Sequence, residues 1–204
     1  MSPRTYNRTS RLAAAEETRR RIIRATVELH AEHGALGTTH EMIARRSEVS
    51  LPTVYKYFPT RDDLIPHCTG LVFSEAPVQL DASVFSGKID VPSRLHALTR
   101  RTFELHAYAA PWLRWSARDA GELPGLRSRI EATARESAAL LRAALAPGFD
   151  RVPPRRLVVA STVLLGFGSW QAFTQNGFTS AGAAGAVGDA LVALFLAAQK
   201  GEEP

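Results

Sequence analysis

Hydroxyl, phenol and ammonium groups are concentrated in the segment from Thr38 to Arg61. Five of them fall within eight residues, at Ser50, Thr53, Tyr55, Lys56 and Tyr57. Groups of these types donate hydrogen bonds to phosphate oxygens and base edges, and lysine adds a positive charge. The residue types therefore favour a contact with nucleic acid. The alternative is that the two tyrosines are ordinary packing residues beside a solvated lysine.

Two short helices joined by a turn are predicted to position these side chains. Thr38 and Glu41 fit a capping box that opens the first helix. Ser50 fits the N-cap of the second helix, Pro52 lies in its first turn, and Pro59 ends it. Two capped helices joined by about four residues form a helix-turn-helix, whose second helix enters the DNA major groove with its N-terminal residues.

Helical periodicity continues along most of the chain, and strand signals are almost absent. The first helix is expected from about Ala13 to His33, with Gly34 as its stop. Thr60 to Asp63 predicts the cap of a fourth helix, and Pro111 is expected to break a later one. We predict an all-α fold of about nine helices. The later helices are expected at 93–110, 112–121, 126–145, 155–175 and 182–199, after a loop at 76–92.

Composition and charge narrow the class of protein. The chain has 204 residues, of which 45% are hydrophobic and 22% are charged, and this composition suits a globular protein with a buried core. The single cysteine, Cys68, excludes an intramolecular disulfide and a cysteine-based zinc site. Residues 1–24 carry seven arginines against two glutamates, within a net charge of +5 for the chain. A basic segment beside a folded module favours DNA as the partner.

An enzyme, a metal protein or a membrane protein is not expected. The sequence contains no P-loop, no Gly-x-Ser-x-Gly elbow, no His-Glu-x-x-His and no dinucleotide fingerprint. No cofactor and no metal are expected. Residues 1–24 lack the apolar run of a signal peptide. The apolar stretch from Leu157 to Phe173 is interrupted by two glycines, so we interpret it as a buried helix and expect a cytoplasmic protein.

Three stretches carry a more specific pattern, in the order Thr-Thr, Ile-Ala, Val-Ser, Thr-Val-Tyr, Tyr-Phe and Asp-Leu. They run from Gly34 to Ala44, from Val49 to Phe58 and from Thr60 to Leu64. Together they closely resemble the N-terminal domain of tetracycline-repressor (TetR) family regulators, over about residues 13–65. The resemblance implies a homodimeric transcriptional regulator, typically a repressor. It would bind a palindromic double-stranded DNA operator and be released by a small-molecule effector of unknown identity.

The resemblance also implies a division of the chain and a set of contact residues. Residues 1–12 would be a basic flexible arm, 13–65 the DNA-binding domain with its helix-turn-helix at about 38–57, and 66–204 the ligand-binding and dimerisation domain. Two departures from the family pattern stand out. Glu48 replaces the usual glycine of the turn, and Pro66 falls within the fourth helix. The expected DNA-binding residues are Thr38, Thr39, Ser50, Leu51, Pro52, Thr53, Tyr55, Lys56, Tyr57 and Arg61.

The second half of the chain supplies the expected effector and dimer contacts. Aromatic and polar side chains along one stretch suit a pocket for a small organic molecule, although aromatic residues at helical spacing also form cores. The expected pocket residues are Phe103, His106, Tyr108, Trp112, Trp115 and Arg118. The expected dimer-interface residues are Val159, Val163, Gly166, Trp170, Phe173, Ala183, Ala186, Ala190 and Ala197.

One alternative function stays open at this point. The chain could be a helical small-molecule-binding or enzymatic protein whose helix-turn-helix is vestigial. The intact capping patterns at Thr38, Ser50 and Thr60 argue against that alternative, because a vestigial motif has no need of them.

Overall fold

The computed structural model describes residues 3–201 and the side chains from residue 9 onward. Within this range the regular structure is helical, with two short 3-10 segments at Ala82–Phe85 and Ala146–Gly148 and no strand. The all-α class predicted from the sequence is confirmed. The α-helices are α1 (Pro3–Gly37), α2 (His40–Ser47), α3 (Leu51–Tyr57), α4 (Arg61–Ser74), α5 (Val91–Asp119), α6 (Pro124–Leu145), α7 (Arg155–Leu165), α8 (Phe167–Gln175) and α9 (Ser180–Gln199).

The chain divides into two compact units. The N-terminal unit combines the residues up to Glu75 with Pro111–Arg129, and the C-terminal unit combines Ala76–Ala110 with the residues from Ile130 onward. Helix α5 therefore contributes residues to both units. This division differs from the expected boundary after residue 65, because α4 packs its apolar face on α1 and residues 111–129 also join the N-terminal unit.

Helices α1 to α4 enclose the first core. Ile22, Thr26 and Leu29 lie on one face of α1 at i, i+4 and i+7, and all three are buried. The Thr26 hydroxyl donates to the Ile22 carbonyl at 2.7 Å, so its burial leaves no unpaired hydroxyl. The other buried residues of this core are Ile23, Ile43, Ala44, Val54, Phe58, Leu64 and Cys68.

The beginning of α1 lies earlier than expected. Residues 3–12, assigned to a flexible arm from the sequence, are helical and continuous with the rest of α1. Met1 and Ser2 lie outside the described residues. Proline is tolerated in a first helical turn, and neither glycine nor proline follows Pro3 until Gly34. No residue in this segment therefore stops the helix.

The cap of α2 is shifted by one residue from the prediction. Thr39 is the N-cap, and its hydroxyl accepts a hydrogen bond from the Met42 amide at 3.3 Å. The Thr38 side chain is fully buried and donates to the Gly34 carbonyl at 2.8 Å, so the capping box expected from Thr38 to Glu41 is wrong. The reason is that α1 continues for one more turn after Gly34, so the Thr38 hydroxyl bonds to a carbonyl of this last turn and not to an amide of α2.

Helix α4 begins as predicted. The Thr60 hydroxyl accepts from the Asp63 amide, and the Asp63 carboxylate accepts from the Thr60 amide, which completes a capping box. Pro66 lies inside α4, as expected from its position.

Two helix boundaries in the later part of the chain differ from the prediction. Pro111 does not break α5, which is continuous from Val91 to Asp119. One helix was expected at 155–175, but α7 and α8 are separated at Gly166 and bent by 48°. The backbone of Gly166 is extended, with φ −68° and ψ 157°, and this conformation ends the helical hydrogen-bond ladder there.

The C-terminal unit is built around a second core, in which α7, α8 and α9 pack on one another. Val187, Leu191 and Phe195 form the inward face of α9. Helix α9 is also long and apolar enough to span a bilayer, as the bent pair α7 and α8 would be together, by length and composition alone. Core helices of other proteins meet the same criterion, so it is weak evidence for a membrane.

The turn between α2 and α3 has the strained geometry expected at Glu48. This residue has φ 55° and ψ 42°, the left-handed region that favours glycine. Its amide donates to the carbonyls of Ala44 and Arg45, so the turn closes the end of α2 in spite of the strain.

We expect Glu48→Gly to stabilise the N-terminal unit. Relief of left-handed strain is worth about 1–2 kcal/mol, and the added freedom of glycine in the unfolded chain offsets about 0.5–1 kcal/mol. Urea denaturation of proteins that also carry Trp170→Phe, so that the tryptophan fluorescence comes from Trp112 and Trp115 in this unit, should show a higher free energy of unfolding. Glu48→Ala is the matched control, because alanine removes the carboxylate without relieving the backbone. Equal stability of the two variants would contradict the strain.

Candidate nucleic-acid interface

Helix α3 is anchored on one side and exposed on the other. Val54 and Phe58 are buried in the core of the N-terminal unit. Pro52, Tyr55 and Lys56 are exposed, and their i, i+3, i+4 spacing places them on one face of the helix. This exposed face, which we call the α3 face, combines an apolar ring, a phenol and an ammonium group.

Hydroxyl groups lie beside the α3 face. Ser50 occupies the N-cap of α3, but its hydroxyl pairs with that of Thr53 at 2.7 Å and does not cap the helix. Thr39 is exposed at the beginning of α2. Leu51 is half-buried against the core, so the structure leaves it less surface for a partner than the sequence suggested. Ser50, Thr53 and Thr39 remain candidates for phosphate contacts.

Three of the expected contact residues are engaged within the unit. Thr38 is fully buried, which removes it from the candidate interface. The Tyr57 hydroxyl donates to the Ala15 carbonyl at 3.2 Å and ties α3 to α1. The exposed Arg61 donates to the Leu36 carbonyl at 2.8 Å, so a phosphate would have to compete with that carbonyl or use the remaining guanidinium donors.

His40 is a residue at this site that the sequence did not single out. It is the first residue of α2 and is only 7% exposed. Its Nε2 donates to the Phe58 carbonyl at 2.9 Å, and its ring stacks on Tyr55 with a centroid distance of 4.4 Å. The capping pattern drew attention to its neighbours, whereas the stack depends on the packing of α2 against α3.

Helix α1 is interrupted at Gly34, behind the interface. The backbone there has φ 77° and ψ 171°, a region open essentially to glycine alone. A β-carbon at this position would lie 2.6 Å from Asp119 Oδ2. Glycine is therefore required for both its conformation and its lack of a side chain. The interruption leaves amides and carbonyls without helical partners on either side.

Asp119, the last residue of α5, satisfies the amides. Its carboxylate is 1% exposed, and Oδ2 accepts hydrogen bonds from Ala35 N at 2.6 Å and Leu36 N at 3.2 Å. Its Oδ1 accepts from Arg118 Nε at 2.6 Å. We call this arrangement the Asp119 cap, because the carboxylate acts as an N-cap for the last turn of α1 from a distant part of the sequence.

Other side chains of α5 donate hydrogen bonds to carbonyls of α1 that precede the interruption. Trp112 Nε1 donates to Val27 O at 2.8 Å, and Trp115 Nε1 donates to Ala31 O at 3.2 Å. Arg118 donates to the His33 carbonyl, and its guanidinium also lies over the Trp115 ring at 4.8 Å. These three residues were expected to line an effector pocket. The structure instead places them against α1, where their side-chain donors meet backbone carbonyls.

The beginning of α6 is attached to the same unit. The Gly125 amide donates to both carboxylate oxygens of Asp62 in α4, at 3.1 and 3.0 Å. Ala35, Ile65 and Leu123 form a small core beneath this contact. The segment from Pro111 to Arg129 thus contacts both α1 and α4.

His30 lies in the electrostatic environment of Asp119. Burial lowers the pKa of His30 to about 4, and the nearby carboxylate offsets only part of this decrease. The imidazole is therefore neutral at pH 7. It adds no positive charge to balance the Asp119 cap, which leaves Arg118 as the cation in contact with that carboxylate.

The remaining expected pocket residues lie in the C-terminal unit. Phe103 is fully buried, and Tyr108 is half-buried. His106 Nε2 donates to the Leu165 carbonyl at 2.9 Å, and its ring meets Phe103 and Phe167. Burial lowers the pKa of His106, so it is neutral at pH 7. These three residues stay candidates for an effector site.

The expected dimer residues separate into two groups. Val159, Val163 and Ala190 are exposed on the adjacent helices α7 and α9. Ala183 is fully buried in the core of its own unit, so its assignment to an interface is wrong for this chain. The sequence missed Leu194 and Leu196, which are exposed apolar residues of α9. Gly166, Trp170, Phe173, Ala186 and Ala197 are half-buried.

Comparison with known proteins places the first core in a family. The model of "bacterial regulatory proteins, tetR family" matches residues 22–68, from the middle of α1 to the middle of α4. The chain carries a tetR-family domain. The TetR resemblance predicted from the sequence is thereby confirmed, and α2, the turn at Glu48 and α3 form the helix-turn-helix of this TetR domain.

Proteins similar to this chain include regulators of known sequence and structure. The HTH-type transcriptional repressor KstR of Mycobacterium tuberculosis is 31% identical over 74 residues, which span 36% of this chain and 34% of that repressor. A provisionally assigned transcriptional regulator from Pseudomonas aeruginosa has a TM-score of 0.71 at 20% identity, over 92% of this chain and 95% of that one. The multidrug binding protein EbrR complexed with ethidium has a TM-score of 0.57 at 20% identity, over 87% of this chain and 98% of that one. The two structural similarities show a shared fold.

We expect Asp119→Asn to destabilise the N-terminal unit by about 1–3 kcal/mol, because it removes the charge from the acceptor of two backbone hydrogen bonds and turns an amide NH2 group toward the Arg118 guanidinium. Urea denaturation followed by tryptophan fluorescence, again in the Trp170→Phe background, measures the change. Glu122→Gln is the matched control, because it neutralises an exposed carboxylate three residues further along. A free energy of unfolding for Asp119→Asn equal to that of the control would show that the cap contributes nothing.

Proposed function

We propose that this chain is a homodimeric, cytoplasmic repressor that binds a DNA operator through α3 and is released by a small molecule. The observation that carries the proposal is the α3 face. Val54 and Phe58 fix the helix from behind, while Pro52, Tyr55 and Lys56 project from a tetR-family domain. The relative KstR, similar over this domain, is itself called a transcriptional repressor.

The chemistry of the α3 face favours a mixture of shape and direct readout. Lys56 supplies a charge for phosphate or for guanine acceptors, and Tyr55 supplies a hydroxyl. Pro52 offers only apolar contact, for instance with a thymine methyl group. One helix of this composition reads few base edges, so we expect DNA shape and backbone contacts to contribute much of the specificity.

A dimer is supported by the exposed apolar residues of α7 and α9. Val159 and Val163 lie one turn apart on α7, and Ala190 and Leu194 lie one turn apart on α9. Adjacent exposed apolar side chains on a soluble protein mark interaction surfaces. A two-fold interface would cover the same patch on both chains and would present two recognition helices to a palindromic site.

The response to an effector is supported by the fold and by helix α5. EbrR, which shares the fold, is named a multidrug binding protein. In this chain α5 carries Phe103 and His106 in the C-terminal unit and Asp119 in the N-terminal unit. A small molecule that prefers one position of α5 would therefore change the contacts that hold Gly34 and the last turn of α1, and so the DNA-binding domain.

In-vitro selection of the protein against random duplex DNA tests the proposal directly. Recovery of one palindromic sequence is expected, with an affinity that falls steeply as salt concentration rises. Enrichment of no sequence, together with only salt-sensitive non-specific binding, would favour a helical small-molecule-binding protein with a vestigial motif. Mass spectrometry of the denatured sample would identify any effector that co-purifies and blocks selection.

Lys56→Ala should weaken operator binding and lower the salt dependence by about one counterion, because one cation of the interface is removed. Lys88→Ala is the matched control, since Lys88 is a half-buried lysine of the other unit, and the affinity and salt slope of this variant should match those of the wild type. Fluorescence anisotropy titrations with the selected operator at several salt concentrations give both quantities. An unchanged slope for Lys56→Ala would remove Lys56 from the interface.

Val163→Asp should convert the dimer into a monomer, because it places a charge in the centre of the apolar patch of α7. Val163 is 69% exposed, so the monomer should still fold. Ile89→Asp is the matched control: Ile89 is 87% exposed and lies in the loop before α5. Sedimentation velocity measures the state of each variant. A dimeric Val163→Asp would place the interface elsewhere.

A further inference from the structure

The candidate interface contains an aromatic stack between His40 and Tyr55. The rings of His40 and Tyr55 are nearly parallel, with an angle of 8° between their planes and 4.4 Å between their centroids. His40 belongs to α2 and Tyr55 to α3, so the stack joins the two helices of the helix-turn-helix. The two residues differ sharply in burial, since His40 is 7% exposed and Tyr55 is 45% exposed.

The His40 ring is fixed from its other end. Its Nε2 donates to the carbonyl of Phe58 at 2.9 Å. Phe58 is the C-cap of α3, and its backbone, with φ −140° and ψ 86°, has left the helix. A carbonyl at the end of a helix has no helical amide to bond, and burial would make an unpaired acceptor costly. The imidazole therefore satisfies this carbonyl, and the hydrogen bond sets the plane of the ring.

A ring fixed in this way limits the motion of Tyr55. An exposed tyrosine on a short helix rotates about two side-chain bonds, and binding DNA would have to restrict that rotation. A parallel stack on an immobile ring supplies part of the restriction before binding, while the rest of the tyrosine surface stays accessible. Tyr55 shares the α3 face with Lys56, so its direction sets where the phenol hydroxyl meets DNA.

We infer that His40 is a positioning residue for operator recognition: its imidazole, fixed by the Phe58 carbonyl, holds the Tyr55 ring in the orientation that binds DNA. The inference rests on the proposed function for its connection with DNA. His40 acts through Tyr55, and its burial keeps it from reading bases itself.

A double-mutant cycle on the selected operator tests this role. His40→Ala should weaken operator binding by about threefold to tenfold, the fold-change that corresponds to an aromatic pair. The same change in a Tyr55→Ala background should weaken binding no further, because the ring to be positioned is absent. His40→Phe keeps a flat ring for the stack but has no donor for the Phe58 carbonyl, so it should recover part of the lost affinity. Equal effects of His40→Ala in both backgrounds would overturn the inference.

Aromatic NMR of the free protein provides a readout that does not depend on DNA. The Tyr55 ring protons should be shifted by the ring current of His40, and the shift should disappear in His40→Ala and persist in His40→Phe. An unshifted Tyr55 in the wild type would overturn the stack itself. Urea denaturation of each variant confirms that it is folded at the assay temperature. If His40→Ala unfolds the domain, His40→Gln takes its place, because the glutamine amide can still donate to the Phe58 carbonyl while the stacking ring is removed.

The two experiments separate failure of this inference from failure of the proposed function. If selection yields no operator, the proposed function fails and the role of His40 in DNA binding falls with it, whatever the NMR shows. If the operator is found and the NMR shows the stack, but the cycle is additive, only the positioning role fails. A coupled cycle with rescue by His40→Phe supports both.

Discussion

The N-terminal unit depends on one buried carboxylate. Gly34 breaks α1 in a conformation that only glycine adopts readily, and the break exposes the amides of Ala35 and Leu36. The Asp119 carboxylate, 84 residues after Ala35 in the sequence, accepts hydrogen bonds from these two amides at 2.6 and 3.2 Å. A broken helix buried without such a partner would leave polar groups unsatisfied, so the break and the carboxylate require each other.

This dependence makes the end of α5 a part of the N-terminal unit. The donors of Trp112, Trp115 and Arg118 bind the carbonyls of α1, and Gly125 binds Asp62 of α4. The helices of the motif are too short to be stable alone, and α3 has only seven residues. Their orientation is therefore set by α1 and α4, which are themselves held by residues 111–129.

In helix α3, one set of side chains is exposed and another set is buried and fixes the helix in place. Tyr55 and Lys56 face outward, whereas Val54 and Phe58 face the core and His40 joins the two sets. The same division recurs in the C-terminal unit, where α9 packs Val187 and Leu191 inward and leaves Leu194 exposed. In both units the exposed face carries the proposed contact with a partner, and the buried face determines how precisely that contact is presented.

The sequence by itself determined the features that depend on neighbouring residues. Helical periodicity, the capping box at Thr60 and Asp63, and the missing turn glycine at Glu48 all act within a few residues, and the structure agrees with each. Tertiary structure decided which partner each polar or apolar side chain meets. Thr38 became a buried partner of Gly34, Trp115 and Arg118 became donors to α1, and Ala183 became core. The reason is physical: a donor or an apolar side chain is suited to many partners, and only packing between distant segments determines which partner it meets.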